Sequence, residues 1–307
     1  MDPFSSEGEL VNIHTAFVQG QYQSVLNDYT VSDFSPENAL PIRILQYRAQ
    51  CALGQYNEVL SSLSSDNSSS SSDSPDLAAV RLYASSYLQP PSDPTILTPA
   101  EELASTASEN LTVQLLISSI LSRAGKPDAA LQLLSSHTGS LDAVALSIQI
   151  CLQQNNLERA IKEAKAARSF AQDALLVNLA EAWIAMRMGG EANYQKAFYV
   201  FEEMAQGPSS RSVVSLVQQG VSELHLGRVE EAEVALGQAW EMEEGKNYAA
   251  AVVNKLVLDV GVGREGTEEL TERLKGLDKE CEFLVELEEK RSAFEAAMAK
   301  YNPKFEP

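Results

Sequence analysis

One phrase recurs along the chain and constrains the fold more than any other feature of the sequence. It ends a helical stretch at a Gly or Asn, places an apolar or ring residue two positions later, and reaches a small residue after three more. The copies are Gly20–Val25, Gly54–Val59, Gly125–Ala130, Asn155–Ala160 and Gly227–Ala232, with an expanded copy at Gly189–Ala197. Because Gly and Asn tolerate the left-handed backbone that ends helices, each copy predicts a turn between two helices.

The spacing of the small residue defines a repeat. Successive copies are separated by 34, 71, 30, 37 and 35 residues, counted at Val25, Val59, Ala130, Ala160, Ala197 and Ala232. A period near 34 residues is that of tetratricopeptide repeats, which are helix pairs, and the gap of 71 predicts one degenerate unit. We therefore predict an all-α, right-handed α-α solenoid of about six to seven such repeats that forms a single domain over residues 1–307.

Three segments interrupt or end the repeat pattern. Residues 64–74 read SSDNSSSSSDS, a composition that cannot bury apolar surface and predicts a disordered loop. The prolines that follow the next helical stretch mark the degenerate unit, in which Thr98-Pro99 resembles a helix start. Apolar residues then follow one another at steps of four and three, at Leu270, Leu274, Leu277, Cys281 and Leu284. This pattern predicts capping helices over residues 277–307.

The charge of the chain limits its partners. There are 43 acidic and 23 basic residues, a net charge of −20, which repels nucleic acid and anionic lipid. We therefore expect no nucleic-acid partner and only indirect membrane contact. Three isolated cysteines in no paired motif and the lack of a signal-peptide pattern at the N-terminus predict a reduced, cytoplasmic protein.

The chain offers few motifs for catalysis. Residues 261–266 match GxGxxG, which can bind a dinucleotide, but no second βαβ unit is present and the glycines fall where the next inter-helix turn is due. We favour the turn, and nucleotide titration calorimetry distinguishes the two. His14, His137 and His225 stand alone without ligand spacing. The sequence therefore predicts no enzyme activity, no cofactor and no metal site.

First helices line the inner face of a repeat stack, and their inward residues are candidates for partner binding. The candidates are Ala145, Gln149, Leu152, Val217, Val221 and Leu224. Because they are mostly apolar, they favour a permanent protein partner. The alternative is a co-chaperone or adaptor scaffold that clamps a peptide carboxylate, which requires Lys, Arg and Asn on that face.

Several segments resemble one specific family. The stretch 146–204 is similar to the epsilon subunits of coatomer, including the expanded turn Gly189-Gly190 and the helix AFYVFEEM at Ala197–Met204. The phrases AFVQGQYQ at Ala16–Gln23 and GRVEEAE at Gly227–Glu233 are similar too. The resemblance covers nearly the whole chain and departs from the family in the serine tract and the proline-rich segment.

This resemblance implies a function that composition and period do not. It implies a non-enzymatic subunit of the heptameric COPI coat, which acts in Golgi-to-ER retrograde and intra-Golgi transport. The family's partner is the C-terminal region of the alpha subunit (alpha-COP), which the repeats wrap around and stabilise. Recruitment to the Golgi membrane and to coated vesicles then comes through the rest of the coat and a small GTPase.

Overall fold

The computed structural model describes residues 8–65, 74–207, 209–278 and 281–301. These residues form seventeen α-helices and no strand. In chain order the helices are α1 (Val11–Val18), α2 (Tyr22–Asn27), α3 (Ala39–Ala52), α4 (Tyr56–Ser65), α5 (Pro75–Leu88), α6 (Pro94–Thr106), α7 (Leu111–Arg123), α8 (Pro127–Leu134), α9 (Leu141–Gln153), α10 (Leu157–Phe170), α11 (Leu175–Met188), α12 (Glu191–Gln206), α13 (Val213–His225), α14 (Val229–Glu241), α15 (Ala249–Gly261), α16 (Thr267–Leu277) and α17 (Glu282–Tyr301). Short 3-10 turns lie at Val31–Asp33, Pro36–Asn38 and Gly245–Asn247.

The first sixteen helices form eight consecutive pairs, which confirms the predicted all-α solenoid. Within a pair the two helices pack together, and most first helices also pack on the first helices of neighbouring pairs; α13 instead packs on the preceding pair mainly through α12. The stack has one pair more than the upper end of the predicted range. The additional pair is the degenerate unit, which folds as a complete helix pair, α5 and α6.

The turns within pairs are where the recurring phrase predicts them. Gly54 and Gly227 have φ of 78° and 76°, and Asn155 takes the same place with φ of 59°. Asn155 is the one non-glycine residue with positive φ in the described part of the chain. In the GxGxxG match, Gly261 is the last residue of α15, and Gly263 and Gly266 lie between α15 and α16, so that motif is a turn.

The third pair lacks the glycine turn. Between α5 and α6 the chain passes through Gln89–Asp93, and the Asp93 side chain accepts a hydrogen bond from the backbone N–H of Thr95 at 2.8 Å. This cap starts α6 at Pro94, four residues before the predicted start at Thr98-Pro99. Pro99 lies inside α6, still in its second turn, where the missing N–H costs one hydrogen bond of the helix.

The small residue of each phrase lies where helices cross. Val25, Val59, Ala130, Ala160, Ala197 and Ala232 are all completely buried. Each stands in the first two turns of a second helix, so the repeat column that defined the period is part of the buried core. Protein interiors are close-packed, and a crossing built on Ala has no space for a larger side chain.

The substitutions Ala197→Leu and Ala232→Leu are each expected to lower the free energy of unfolding by about 1–3 kcal/mol, because three more carbon atoms overpack the crossing. Urea titration followed by circular dichroism measures the change. Ala166→Leu is the matched control, since Ala166 lies exposed on α10. Equal stability of the control and both buried variants would contradict the packing of this column.

The predicted serine loop 64–74 is shorter than expected at its start. Helix α4 extends to Ser65, and the backbone carbonyl of Leu60 accepts a hydrogen bond from the Ser64 hydroxyl at 2.7 Å. This bond lets a serine remain inside a helix. Residues 66–73 lie outside the described part of the chain, so the prediction of disorder for them stays a prediction.

The C-terminal helix α17 stands apart from the stack. It has no buried residue, whereas Leu274 of the preceding helix α16 is fully buried against the last pair. Leu277 is 38% exposed, so the row of apolar residues at positions 270–284 is not buried along its whole length. The role of residues 277–307 as a cap therefore stays a prediction.

Candidate partner-binding surface

The six candidate residues lie on two first helices, α9 and α13. Ala145 and Val217 are 7% and 5% exposed, so they belong to the core of the stack. Gln149 is exposed, and Leu152, Val221 and Leu224 are half-buried. The inner strip open to a partner is therefore narrower than predicted.

The correction for Ala145 and Val217 has a physical reason. A first helix in a stack packs against its own second helix and against the pairs on either side, which leaves only a narrow face open. Val217 lies in the apolar cluster that includes Leu216, Leu236 and Ala251. Val221 and Leu224 are partly buried and pack against the same cluster. Leu152 packs in the same way on the central core cluster.

An aromatic cluster on the third pair was not predicted from the sequence. The ring of Tyr87 stacks on Tyr56 with centroids 4.7 Å apart, and the Arg123 guanidinium lies 3.9 Å from its centroid. Tyr87 and its neighbour Leu88 remain 39% and 46% exposed. Tyr and Arg are enriched at interfaces. The sequence feature that could have pointed to this cluster is the absence of a glycine turn after α5, because Tyr87 and Leu88 then stand at the end of the helix.

The stack turns back on itself, so that its first two pairs contact later ones. His14 on α1 and Arg48 on α3 both face Asp142 in the first turn of α9. The His14 Nε2 atom lies 2.9 Å from one carboxylate oxygen and an Arg48 nitrogen lies 4.0 Å from the other. The side chain of Asp142 is only 10% exposed. We call this contact and its continuation along α11 and α13 the closing seam.

The seam holds the Asp142 carboxylate in its charged form. Burial alone would raise the pKa of this group, but the hydrogen bond with His14 and the charges of His14 and Arg48 outweigh burial, and its pKa lies below the ordinary value. A lowered folded-state pKa means that the group stabilises the fold above its unfolded pKa of about 3.9. That contribution is lost as the pH falls through the folded-state pKa.

The substitution Asp142→Asn is expected to make stability less dependent on pH below about pH 5, because the titrating group is gone. At pH 7 it should cost about 1–3 kcal/mol, since His14 and Arg48 lose their partner. Urea titrations at pH 7, 5 and 3.5 measure both effects. Asp128→Asn is the control, because Asp128 occupies the same position in the first turn of α8 but is exposed. Identical pH profiles for the two variants would refute the role of the seam.

The seam continues beyond the charged group. The hydroxyl of Ser212, the cap of α13, donates a hydrogen bond to the Gln19 carbonyl at 2.7 Å. At Gly20 a Cβ atom would lie 2.7 Å from Val214, so the close approach requires glycine. Val18 packs against the apolar cluster of α11 and α12. No local pattern pointed to these contacts, because they join distant parts of the chain; the hydrogen bond alone spans 193 positions.

Three cavities follow the seam. One of about 230 Å³ lies between Tyr22 and Tyr248, a second of about 140 Å³ lies between Val11 and Leu175, and a third of about 230 Å³ lies beside Arg48. All three are open to solvent, so they are grooves along the edges of the seam and not voids inside it.

The described residues offer no cluster for metal binding. Among them no group of three His, Cys, Asp or Glu side chains could hold a metal ion. Cys51 and Cys151 are buried, and burial raises the pKa of the Cys51 thiol to about 12, which keeps it protonated and unreactive. No helix in the described ranges is long and apolar enough to cross a membrane.

Comparison with known proteins decides the family. The family model described as coatomer epsilon subunit matches residues 6–302. The chain belongs to the coatomer epsilon subunit family. Among the relatives, coatomer subunit epsilon-2 of Arabidopsis thaliana is 29% identical over 267 residues, which covers 86% of this chain and 87% of the relative. Coatomer subunit epsilon of Dictyostelium discoideum is 26% identical and covers 93% and 96%.

Solved structures support the fold of this epsilon-family member. A tetratricopeptide repeat protein from Parabacteroides merdae superposes with a TM-score of 0.55 at 12% identity, over 87% of this chain and 96% of that one. A chain of the APC/C hetero-tetramer Cut9-Hcn1 superposes with a TM-score of 0.54 at 14% identity, over 87% of this chain and 51% of that one. At this identity the likeness concerns the fold alone. The family resemblance quoted from the sequence is thus confirmed, whereas the six inner-face residues stay a prediction.

Proposed function

We propose that the chain binds and stabilises the C-terminal region of the alpha subunit of coatomer through the inner face of its helix pairs. Membership of the epsilon family supports this proposal, because it makes the chain a subunit of a larger coat. The half-exposed apolar residues Leu152, Val221 and Leu224 support it as well. Permanent interfaces are the more hydrophobic ones.

In this role the chain is a structural component and not an enzyme. It acts in Golgi-to-ER retrograde and intra-Golgi transport, as a cytoplasmic protein that is peripheral on Golgi membranes and on COPI-coated vesicles. Its net charge of −20 supports indirect recruitment, because the chain itself is repelled by anionic lipid. The rest of the coat then supplies the membrane contact.

Size-exclusion chromatography of this chain mixed with the C-terminal region of the alpha subunit tests the proposal. We expect a stoichiometric complex that elutes earlier than either chain and melts at a higher temperature than the free epsilon chain. The same mixture with the remainder of the alpha subunit is the control and should give two separate peaks. Separate elution with the C-terminal region would refute the proposed partner.

A further inference from the structure

We propose that the closing seam is a gate, which opens to admit the partner to the inner face and closes again behind it. This inference rests on the proposed function, in which the partner occupies that face. The seam joins α1 and α3 to the starts of α9, α11 and α13. A folded partner segment reaches the inside of such a closed turn either by threading end-on or by passing through the seam.

Two contacts of the seam are polar, and water can replace them. The contact of His14 with Asp142 and the hydrogen bond from Ser212 to Gln19 both exchange readily for hydrogen bonds to water. Val18 is the side chain of the first pair that packs on the apolar cluster of α11 and α12. Grooves that are open to solvent border the contact, so water reaches its edges in the closed state.

Both sides of the seam keep their own structure when it separates. Helices α1, α2 and one face of α3 share a separate apolar cluster that includes Ile13, Val25 and Ile42. On the other side, Asp142 stays near the N-terminus of α9, where the helix dipole is positive. The side chain of the N-cap residue Ser140 accepts a hydrogen bond from the backbone N–H of Ala143. When the seam separates, α1, α2 and α3 can therefore move together and keep this shared cluster packed.

A cross-link across the seam tests the gate. The variant Gln19→Cys with Ser212→Cys, in a Cys281→Ser background, is bridged with a short bifunctional thiol reagent. Cys51 and Cys151 are buried and remain unmodified. The association rate with the C-terminal region of the alpha subunit is then measured before and after bridging. Both rates are measured on the same variant, so the effect of losing the Ser212 cap is the same in both and does not alter their ratio.

The matched control bridges two first helices that stay together in every state. In Ser122→Cys with Gln153→Cys, the replaced side chains lie 3.5 Å apart on neighbouring helices α7 and α9. Bridging this control should leave association unchanged. Bridging the seam should slow association at least tenfold, and bridging after complex formation should slow dissociation equally, because both directions pass the gate. Circular dichroism confirms that each bridged protein is folded.

A second variant moves the rate in the opposite direction. His14→Ala removes one seam contact and should raise the open population, and with it the association rate, by about fivefold. Wild-type association rates for both the bridged seam and His14→Ala would overturn the gate but leave the proposed partner intact. If neither wild type nor any variant binds the alpha region, the proposed function and the gate fall together.

Discussion

Replacing Gly245 with Ala is expected to lower the free energy of unfolding by about 3 kcal/mol, near the upper end for overpacking. Gly245 is buried in the 3-10 turn between α14 and α15. A Cβ atom there would lie 1.8 Å from the carbonyl oxygen of Ala239. Because this neighbour is backbone and not the end of a flexible side chain, the connection itself must move.

Gly237→Ala is the matched control for this substitution. Gly237 lies in the middle of α14, and no atom lies within 4 Å of where its Cβ would be. The same change should there raise stability by about 0.5–1 kcal/mol, because Ala has the higher helix propensity. Urea titration of both variants measures the difference. A stabilised Gly245→Ala would show that the chain between α14 and α15 follows another path.

Val221→Asp combined with Leu224→Asp is expected to abolish co-elution with the C-terminal region of the alpha subunit. Two carboxylates covered by an apolar partner should cost at least about 4 kcal/mol, or a thousandfold in affinity. Both residues also pack partly on the cluster around Leu216, so some intrinsic stability is lost as well. Helical content should persist, since seven other pairs keep their packing.

Val234→Asp is the control for this double variant, because Val234 is 59% exposed on the second helix α14 and carries the same change outside the inner face. It should bind like the wild type. Gln149→Arg gives an independent test on α9. Because the Gln149 side chain is exposed, its replacement should leave the packing of the core unchanged. If both inner-face variants fold and still co-elute stoichiometrically, the partner occupies another surface of the stack.

The helix pairs could be predicted from the sequence because their signals are local. A glycine or asparagine that needs positive φ, followed by a small residue at the crossing, repeats within a few positions, as at Asn155 and Ala160. Burial of Ala145 and Val217 could not be predicted in the same way. Their spacing along α9 and α13 is compatible with a position that faces a partner and with one that packs against the next pair. Only the geometry of the stack shows which of the two each residue occupies.

The closing seam could not be predicted from any local pattern. His14 is a lone histidine in the sequence, and Asp142 is one of several acidic residues in first helical turns, as is Asp128. Their meeting depends on the small rotation between successive pairs, summed over the four steps from the first pair to the fifth. Such a sum is a property of the whole stack, which no single segment encodes.

The seam also has a consequence for biosynthesis. Most packing in this fold joins helices that are neighbours along the chain, so each pair can fold soon after it leaves the ribosome. The bond between Gln19 and Ser212, in contrast, spans 193 residues. At about 5–20 residues per second, the first pair is made about 10–40 seconds before the start of α13 exists. During synthesis the inner face is therefore open long before it can close.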